Sequence, residues 1–115
     1  MQAYIYLPTP DEAEETGDAE AKIAEATIYL EACLLQNFGR FFRSLATSIK
    51  FDEMTQKPIK QGVALYIVMS EEEDNSILET IAMEAGRIAD LDAMEWQDFQ
   101  GVFHCVERRS YHYAR

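Results

Sequence analysis

The side chains best suited to chemistry are few in this sequence of 115 residues. His104 and His112 share one face of a predicted strand but stand about 27 Å apart at a 3.4 Å rise, too far to ligate one metal ion. Cys33 and Cys105 fall on different predicted elements and match no metal-ligand spacing, so we expect both to be reduced core thiols. No serine or cysteine lies in a nucleophile motif, and no glycine-rich phosphate loop occurs. The sequence therefore predicts no enzyme, no metal site and no cofactor.

Carboxylates dominate the remaining polar side chains, and the formal net charge is −11. Residues 70–98 hold ten acids and one arginine, a balance of −9, and residues 1–39 hold eight acids and one lysine, a balance of −7. The acidic run Glu71–Asp74 lacks the loop pattern of an EF-hand, so no specific calcium site is expected. The net charge disfavours binding to phosphate backbones or anionic membranes and favours basic partners.

Periodicity in the first half of the chain indicates the elements that must position these carboxylates. Ala3–Leu7 alternates and predicts a first strand. Thr9–Glu12 has the form of a capping box, so a helical turn is expected there. A long helix follows over about residues 18–38 and ends at Gly39. Phe41–Glu53 is predicted as a strand, with a helical continuation as the competing interpretation. The buried stripe of the long helix is expected to contain Ile23, Thr27, Leu30, Leu34 and Phe38.

The second half of the chain predicts a strand, a helix and a final strand. Val63–Met69 is a continuous apolar run, typical of a central strand. Ser70 or Ser76 fits the capping box of a second helix. A loop is expected around Asp92–Gln100, and Val102–Tyr113 is predicted as the last strand. Ile77, Ile81, Ala85 and Ile88 indicate the buried face of that helix, with Leu78, Ala82 and Ala89 beside them.

This order of strand, helix, strand, strand, helix, strand is typical of the ferredoxin-like α+β sandwich. We expect a single domain over residues 1–115, with both helices on one face of a four-stranded antiparallel sheet. The two helix-bearing segments together carry −16, and the remaining segments carry +5. One broad face of the molecule should then be strongly negative.

Two interpretations of the acidic helical surface remain open. Acids in a first helical turn gain about 0.3–1 kcal/mol each from the helix dipole, so the surface can be a solvated face that stabilises its helices. Asp90 and Asp92 lie near the other end of their helix, where the dipole disfavours acids, and this favours a partner-binding face. The residues predicted to bind the partner are Asp11, Glu12, Glu14, Glu15, Asp18, Glu71, Glu72, Glu73, Asp74, Glu79, Asp90, Asp92 and Glu95.

Aromatic side chains suggest an alternative function for the opposite face of the sheet. Tyr4 and Tyr6 share one face of the first strand, and the predicted last strand would lie beside it. Such a platform would suit a binding module or dimer that takes RNA or a small ligand. Self-association or strand propensity alone explains the same residues, and no RNA-recognition consensus is present. The last-strand residues that share this face are Phe103, Arg109, Tyr111 and Tyr113.

Three stretches give the chain a resemblance to a known class of proteins: Ala3–Leu7, Asp11–Glu15 and Ser70–Glu79. The whole chain resembles small phage-encoded anti-CRISPR proteins, in particular an acidic type I-F inhibitor. From the charge we expect a monomer with no direct contact to nucleic acid or membrane, and the resemblance implies that it acts in the cytoplasm of a bacterial host. It implies binding to the basic nucleic-acid groove of the crRNA-guided surveillance complex. Carboxylates on a rigid surface would replace the phosphates that this groove reads and would block target DNA.

Overall fold

The computed structural model describes residues 1–9, 17–71 and 74–108. The described residues form a mixed α+β fold with two helices and a five-stranded antiparallel sheet. In chain order the elements are β1 (Gln2–Pro8), α1 (Gly17–Phe38), β2 (Phe42–Asp52), β3 (Lys57–Met69), α2 (Asn75–Ala89), β4 (Ala93–Gln97) and β5 (Phe103–Glu107).

The strands lie in the order β2-β3-β1-β4-β5. β1 pairs with β3 from Gln2, opposite Met69, to Pro8, opposite Val63. The residues of β3 that precede Val63 pair with β2 alone among the described strands. The hairpin of β2 and β3 therefore projects past the end of β1.

The strand at residues 42–52 confirms the extended interpretation of this segment over the helical one. The predicted first helix is confirmed as well, since α1 spans Gly17–Phe38. The expected helical turn at Thr9–Glu12 lies outside the described residues from Pro10 onward. Within the described part of the chain, neither helix is both long enough and apolar enough to cross a bilayer.

The expected loop at Asp92–Gln100 is wrong, because it contains the strand β4. This strand pairs with β1, so it takes the position that was predicted for the last strand. Its pattern is short, but Met94 and Trp96 are buried on one face and hold it against the helices. The last strand is confined to β5 at the sheet edge, and the sheet has five strands instead of four. The part of the predicted strand beyond Arg108 lies outside the described residues.

One hydrophobic core joins both helices to a single face of the sheet. Ala3, Ile5 and Leu7 are buried there as expected, while the alternate residues of β1 point to the opposite face. α1 contributes Leu30 and Leu34, which are fully buried, and α1 also contacts α2 directly. Burial of each large apolar side chain contributes about 1.5–3 kcal/mol. The helices therefore cover one face of the sheet and leave the other open.

The cap of α2 differs from the expectation. Asp74, and neither Ser70 nor Ser76, is its N-cap: the Asp74 carboxylate accepts hydrogen bonds from the amides of Ser76 at 3.0 Å and Ile77 at 3.3 Å. Hydrogen bonds from the Ser76 side chain and from the Ile77 amide lower the pKa of Asp74. The helix ends at Asp90, which adopts the left-handed conformation with φ 53°. Asp74 therefore caps α2 with its carboxylate and Asp90 ends the helix with its backbone, two structural roles that the sequence pattern does not predict.

Candidate functional site

The helix-free face of the sheet carries a groove with a volume of about 720 Å³. Tyr6 and Leu65 lie in its floor, because they alternate with residues that are buried under the helices. The projecting hairpin forms one wall, where Ser48 and Lys50 line the space. The groove opens past the end of β1 toward the first turn of α1 and the last residues of α2. Its size lies within the usual range of small-molecule sites.

Two aromatic rings meet inside this groove. The rings of Tyr6 and Phe103 are tilted by 54°, with their centroids 6.4 Å apart. Burial, together with the neighbouring Tyr4 and Glu95, raises the pKa of Tyr6. The predicted aromatic platform is thus present in part, although β4 lies between the two strands that carry it. Its other predicted members, Arg109, Tyr111 and Tyr113, lie outside the described residues.

An ion pair connects the hairpin to the far side of the groove. Lys50 Nζ lies 2.8 Å from Glu95 Oε1, although β3 and β1 separate their strands in the sheet. The hydrogen bond to Glu95 raises the pKa of Lys50. The hairpin therefore curls over the open face and brings a cation to a carboxylate beside Tyr6.

A second group of charges lies at the mouth of the groove. Arg108 lies 3.4 Å from Asp90 and 3.0 Å from Asp92, measured from nitrogen to carboxylate oxygen. Lys22 lies 3.5 Å from both Asp18 and Asp90. The last turn of α2 is thereby tied to α1 and to the end of β5.

The charged lining of the groove is negative overall. Its four carboxylates are Glu20, Asp90, Asp92 and Glu95, and its two cations are Lys50 and Arg108. Negative charge beside aromatic rings suits a cationic ligand with a planar ring, because the ring faces and the carboxylates both attract positive charge. The same lining disfavours a phosphorylated ligand.

The predicted partner-binding carboxylates that the structure describes do not form one continuous surface. Asp90 and Asp92 lie at one end of α2, while Glu71 and Asp74 lie at the other. A helix of 15 residues is about 22 Å long, so the two groups are well separated. Asp18 joins the first group through Lys22, and Glu79 lies on the exposed side of α2. Glu95 lies on the helix-free face, and Asp11, Glu12, Glu14, Glu15, Glu72 and Glu73 lie outside the described residues.

His104 has a structural role in the turn between β4 and β5. Its Nε2 lies 2.8 Å from Asp98 Oδ2, and its ring stacks on Trp96 at 4.9 Å. The other oxygen of Asp98 accepts the amides of Gln100 and Val102, each at 3.0 Å. Among the described residues no group of His, Cys, Asp and Glu has the arrangement of a metal site.

The two cysteines are free thiols, as expected from the sequence. Cys33 is half-buried and packs against the core. Cys105 is exposed on β5, so the expectation of a core position is wrong for it. It follows Phe103 at the strand period of two and shares the helix-free face.

Several groove residues could not be recognised from the sequence. The sequence gives no sign that Lys50 and Arg108 belong to the groove, because the residues they contact lie 45 and 18 positions away in the chain. Tyr6 and Phe103 had been singled out by their parity on predicted strands. Had the short strand β4 been identified, the alternation of residues along it would have predicted Glu95 on the same face as Tyr6 and Phe103.

Comparisons with known proteins identify similar folds. No protein-family model and no curated protein sequence matches this chain. Two solved structures are similar, both of a phage SAM lyase. The complex with S-methyl-5'-thioadenosine has a TM-score of 0.56 and 10% sequence identity, and the match covers 92% of this chain and 88% of that chain. The apo state has a TM-score of 0.54 at 10% identity, covering 92% of this chain and 87% of that chain.

Proposed function

We propose that this protein binds S-adenosylmethionine in the groove and cleaves it to S-methyl-5'-thioadenosine. The observation that carries the proposal is a groove of about 720 Å³ with two aromatic rings and a net negative lining. S-adenosylmethionine combines a planar purine with a sulfonium cation. The similarity in fold to a phage SAM lyase across 92% of the chain supports this choice of ligand. The proposal replaces the non-enzymatic expectation drawn from the sequence.

The groove residues would take different parts of this ligand. Tyr6 and Phe103 would offer their ring faces to the purine, since aromatic rings stack on bases. Glu95 and the carboxylates at the mouth would attract the sulfonium. Lys50 now neutralises Glu95, so a cationic ligand would compete with Lys50 for this carboxylate.

The reaction follows from the chemistry of a sulfonium. The bond between sulfur and the methionyl γ-carbon breaks, and its electron pair stays on sulfur as a neutral thioether. The substrate carboxylate can attack that carbon and close a lactone, so neither water nor an external base is consumed. Positive charge on sulfur declines in the transition state, so the groove carboxylates favour substrate binding more than rate. Acceleration would come from holding the substrate carboxylate in line with the breaking bond.

The experiment is a product analysis with purified protein and S-adenosylmethionine. We expect S-methyl-5'-thioadenosine to form faster than in buffer, where the same decomposition occurs spontaneously. At substrate concentrations well below KM, Glu95→Gln should lower the rate at least about tenfold through weaker substrate binding, equivalent to about 1.4 kcal/mol. Glu79→Gln is the matched control, because Glu79 is an exposed carboxylate of α2 outside the groove. A wild-type rate equal to that in buffer would refute the activity.

A second candidate function rests on the exposed carboxylates of the helix side. Glu71, Asp74 and Glu79 are exposed around the start of α2, and Asp18 is exposed at the start of α1. We propose as the alternative a non-enzymatic anti-CRISPR inhibitor in the host cytoplasm. These carboxylates would bind the basic groove of the surveillance complex and exclude target DNA, without binding nucleic acid themselves. Their separation into two groups means that such a partner must have two basic contacts.

This alternative has its own test in a DNA-binding assay with the surveillance complex. The protein should inhibit DNA binding, and added salt should weaken the inhibition. The double variant Glu71→Lys/Glu79→Lys should relieve it, whereas Glu107→Lys, an exposed site on β5, should not. Unchanged DNA binding at saturating protein would exclude the alternative.

We also interpret the first six elements as a ferredoxin-like unit with β5 added at its edge. Their order along the chain and the sheet order β2-β3-β1-β4 support this interpretation. In such a unit the helix-free face is available for ligands. The proposed groove lies on that face.

A further inference from the structure

The projecting hairpin exposes a row of large apolar side chains. Leu45, Ile49 and Phe51 alternate with the groove-facing residues of β2, so they lie on the helix side of the hairpin. Their exposed fractions are 78%, 63% and 63%. α1 reaches β2 only near its start, where the Arg43 guanidinium lies 2.6 Å from Glu31, and β2 is an unpaired edge of the sheet among the described strands. An apolar strand face of this kind marks an interaction surface.

The outer face of α1 is apolar too. Ile28 is 73% exposed and Leu35 is 52% exposed, one helical heptad apart on the side away from the core. Ala21, Ala24 and Ala32 are exposed on the same side. The inner side of α1 is apolar as expected, so this helix has apolar residues on both sides. A helix with apolar residues on both sides is typically covered on both sides.

The charges around the two surfaces are complementary. On the hairpin, Arg43 and Lys50 are paired within the chain with Glu31 and Glu95, whereas Lys57 and Lys60 of β3 are exposed. On α1, Glu31 is paired with Arg43 and Asp18 with Lys22, whereas Glu20 and Glu25 are exposed beside the apolar residues. Hairpin-to-hairpin contact would bring like charges together, whereas hairpin-to-helix contact brings opposite charges together.

We propose that the protein self-associates, with the hairpin of one copy packed on the outer face of α1 in another copy. Leu45, Ile49 and Phe51 would contact the stripe of Ile28 and Leu35, and the lysines would face the acids of α1. The contact closes a dimer where two copies exchange it, and closes a ring where the rotation between successive copies brings the last copy back to the first. This replaces the expectation of a monomer.

The test is light scattering coupled to size exclusion, from low to high micromolar protein. The wild type should elute at a multiple of the chain mass. Ile49→Asp on the hairpin and Ile28→Asp on α1 should each elute as monomers. Val102→Asp, at a residue that is 53% exposed outside both surfaces, should assemble like the wild type. Circular dichroism should show that all three variants stay folded, because each changed side chain is exposed.

Mixing the two monomeric variants identifies the surfaces that pair. The Ile49→Asp chain retains an intact α1, and the Ile28→Asp chain retains an intact hairpin. The mixture should therefore form a species of two chains, although neither variant assembles alone. A wild type that stays monomeric at high micromolar concentration overturns the proposal. Assembly of Ile28→Asp alone overturns it as well, since that result means the hairpins pair with each other.

Discussion

The two faces of the sheet are built from the same strands but differ in almost every physical respect. On β1, Ile5 and Leu7 are buried under the helices, whereas Tyr4 and Tyr6, which alternate with them, are half-buried on the other face. The covered face is apolar and closely packed. The open face holds the groove, with its rings and ion pairs. A strand period of two thus lets adjacent residues serve the core and the proposed ligand site separately.

The largest expected effect on the free energy of unfolding comes from a substitution on the covered face. Trp96→Ala removes a fully buried side chain between β4 and the helices, so it should lower the free energy of unfolding by about 3–5 kcal/mol. Phe103→Ala, on the open face, should change it by less than about 1 kcal/mol. Urea denaturation measures both. Equal losses would mean that the two faces do not differ as described.

A smaller effect concerns the turn that joins β4 to β5. Burial opposes ionisation of Asp98, but hydrogen bonds from His104 and from the Val102 and Gln100 amides outweigh it and lower the pKa of this carboxyl. The stabilisation is therefore complete above the ordinary value of 3.8 and is lost as the pH falls through the lowered pKa. Asp98→Asn should cost about 1–3 kcal/mol near neutral pH.

Unfolding experiments across pH check this prediction. The difference between the wild type and Asp98→Asn should stay constant above pH 4 and shrink in stronger acid. A difference that grows with acidification would contradict the assigned hydrogen bonds. The Trp96→Ala difference is the control, because that side chain does not titrate.

A third prediction separates structural carboxylates from those available to a partner. Asp74→Ala removes the cap of α2 and should lower the midpoint of thermal unfolding by less than Asp98→Asn does. Asp74→Asn should retain most of the stability, since asparagine is an equally good N-cap. Glu71→Ala should leave the midpoint unchanged. Equal behaviour of the alanine and asparagine variants would show that the cap contributes nothing.

The smallest expected effect on stability belongs to the open face. Lys50→Ala removes the ion pair with Glu95, in which the lysine side chain is 65% exposed. Exposed ion pairs contribute about 0–1 kcal/mol, so the free energy of unfolding should hardly change. Because Glu95 would lose its competing cation, the variant should bind a cationic ligand more tightly. Calorimetry with S-adenosylmethionine measures that change, and weaker binding would contradict the proposed role of Glu95.

The sequence predicted the elements whose apolar residues recur with a clear helical or strand period. β1, α1 and the interior of α2 were recognised because local pattern and burial agree in them, whereas β2 was recognised from its Thr, Ile and Phe content although most of it is exposed. β4 was missed, since its five residues include only two buried apolar side chains amid acids. The cap at Asp74 was missed because two serines fit the same motif.

The site was less predictable than the fold. The parity of Tyr6 and Phe103 indicated an aromatic face, but the groove depends on the projection of the hairpin past β1. The expected acidic surface did not account for distant cations, and Arg108 and Lys50 neutralise Asp92 and Glu95. Such pairs form only when the chain is folded, so local charge patterns overestimate the free negative surface.

The central claim is that the open face, and not the helix face, binds the nucleoside ligand. Calorimetric titration with S-methyl-5'-thioadenosine tests it most directly, using the wild type, Tyr6→Ala and the helix-side control Glu79→Ala. We expect saturable binding by the wild type and the control, and at least about tenfold weaker binding by Tyr6→Ala. No binding by the wild type, or equal binding by Tyr6→Ala, would contradict the claim.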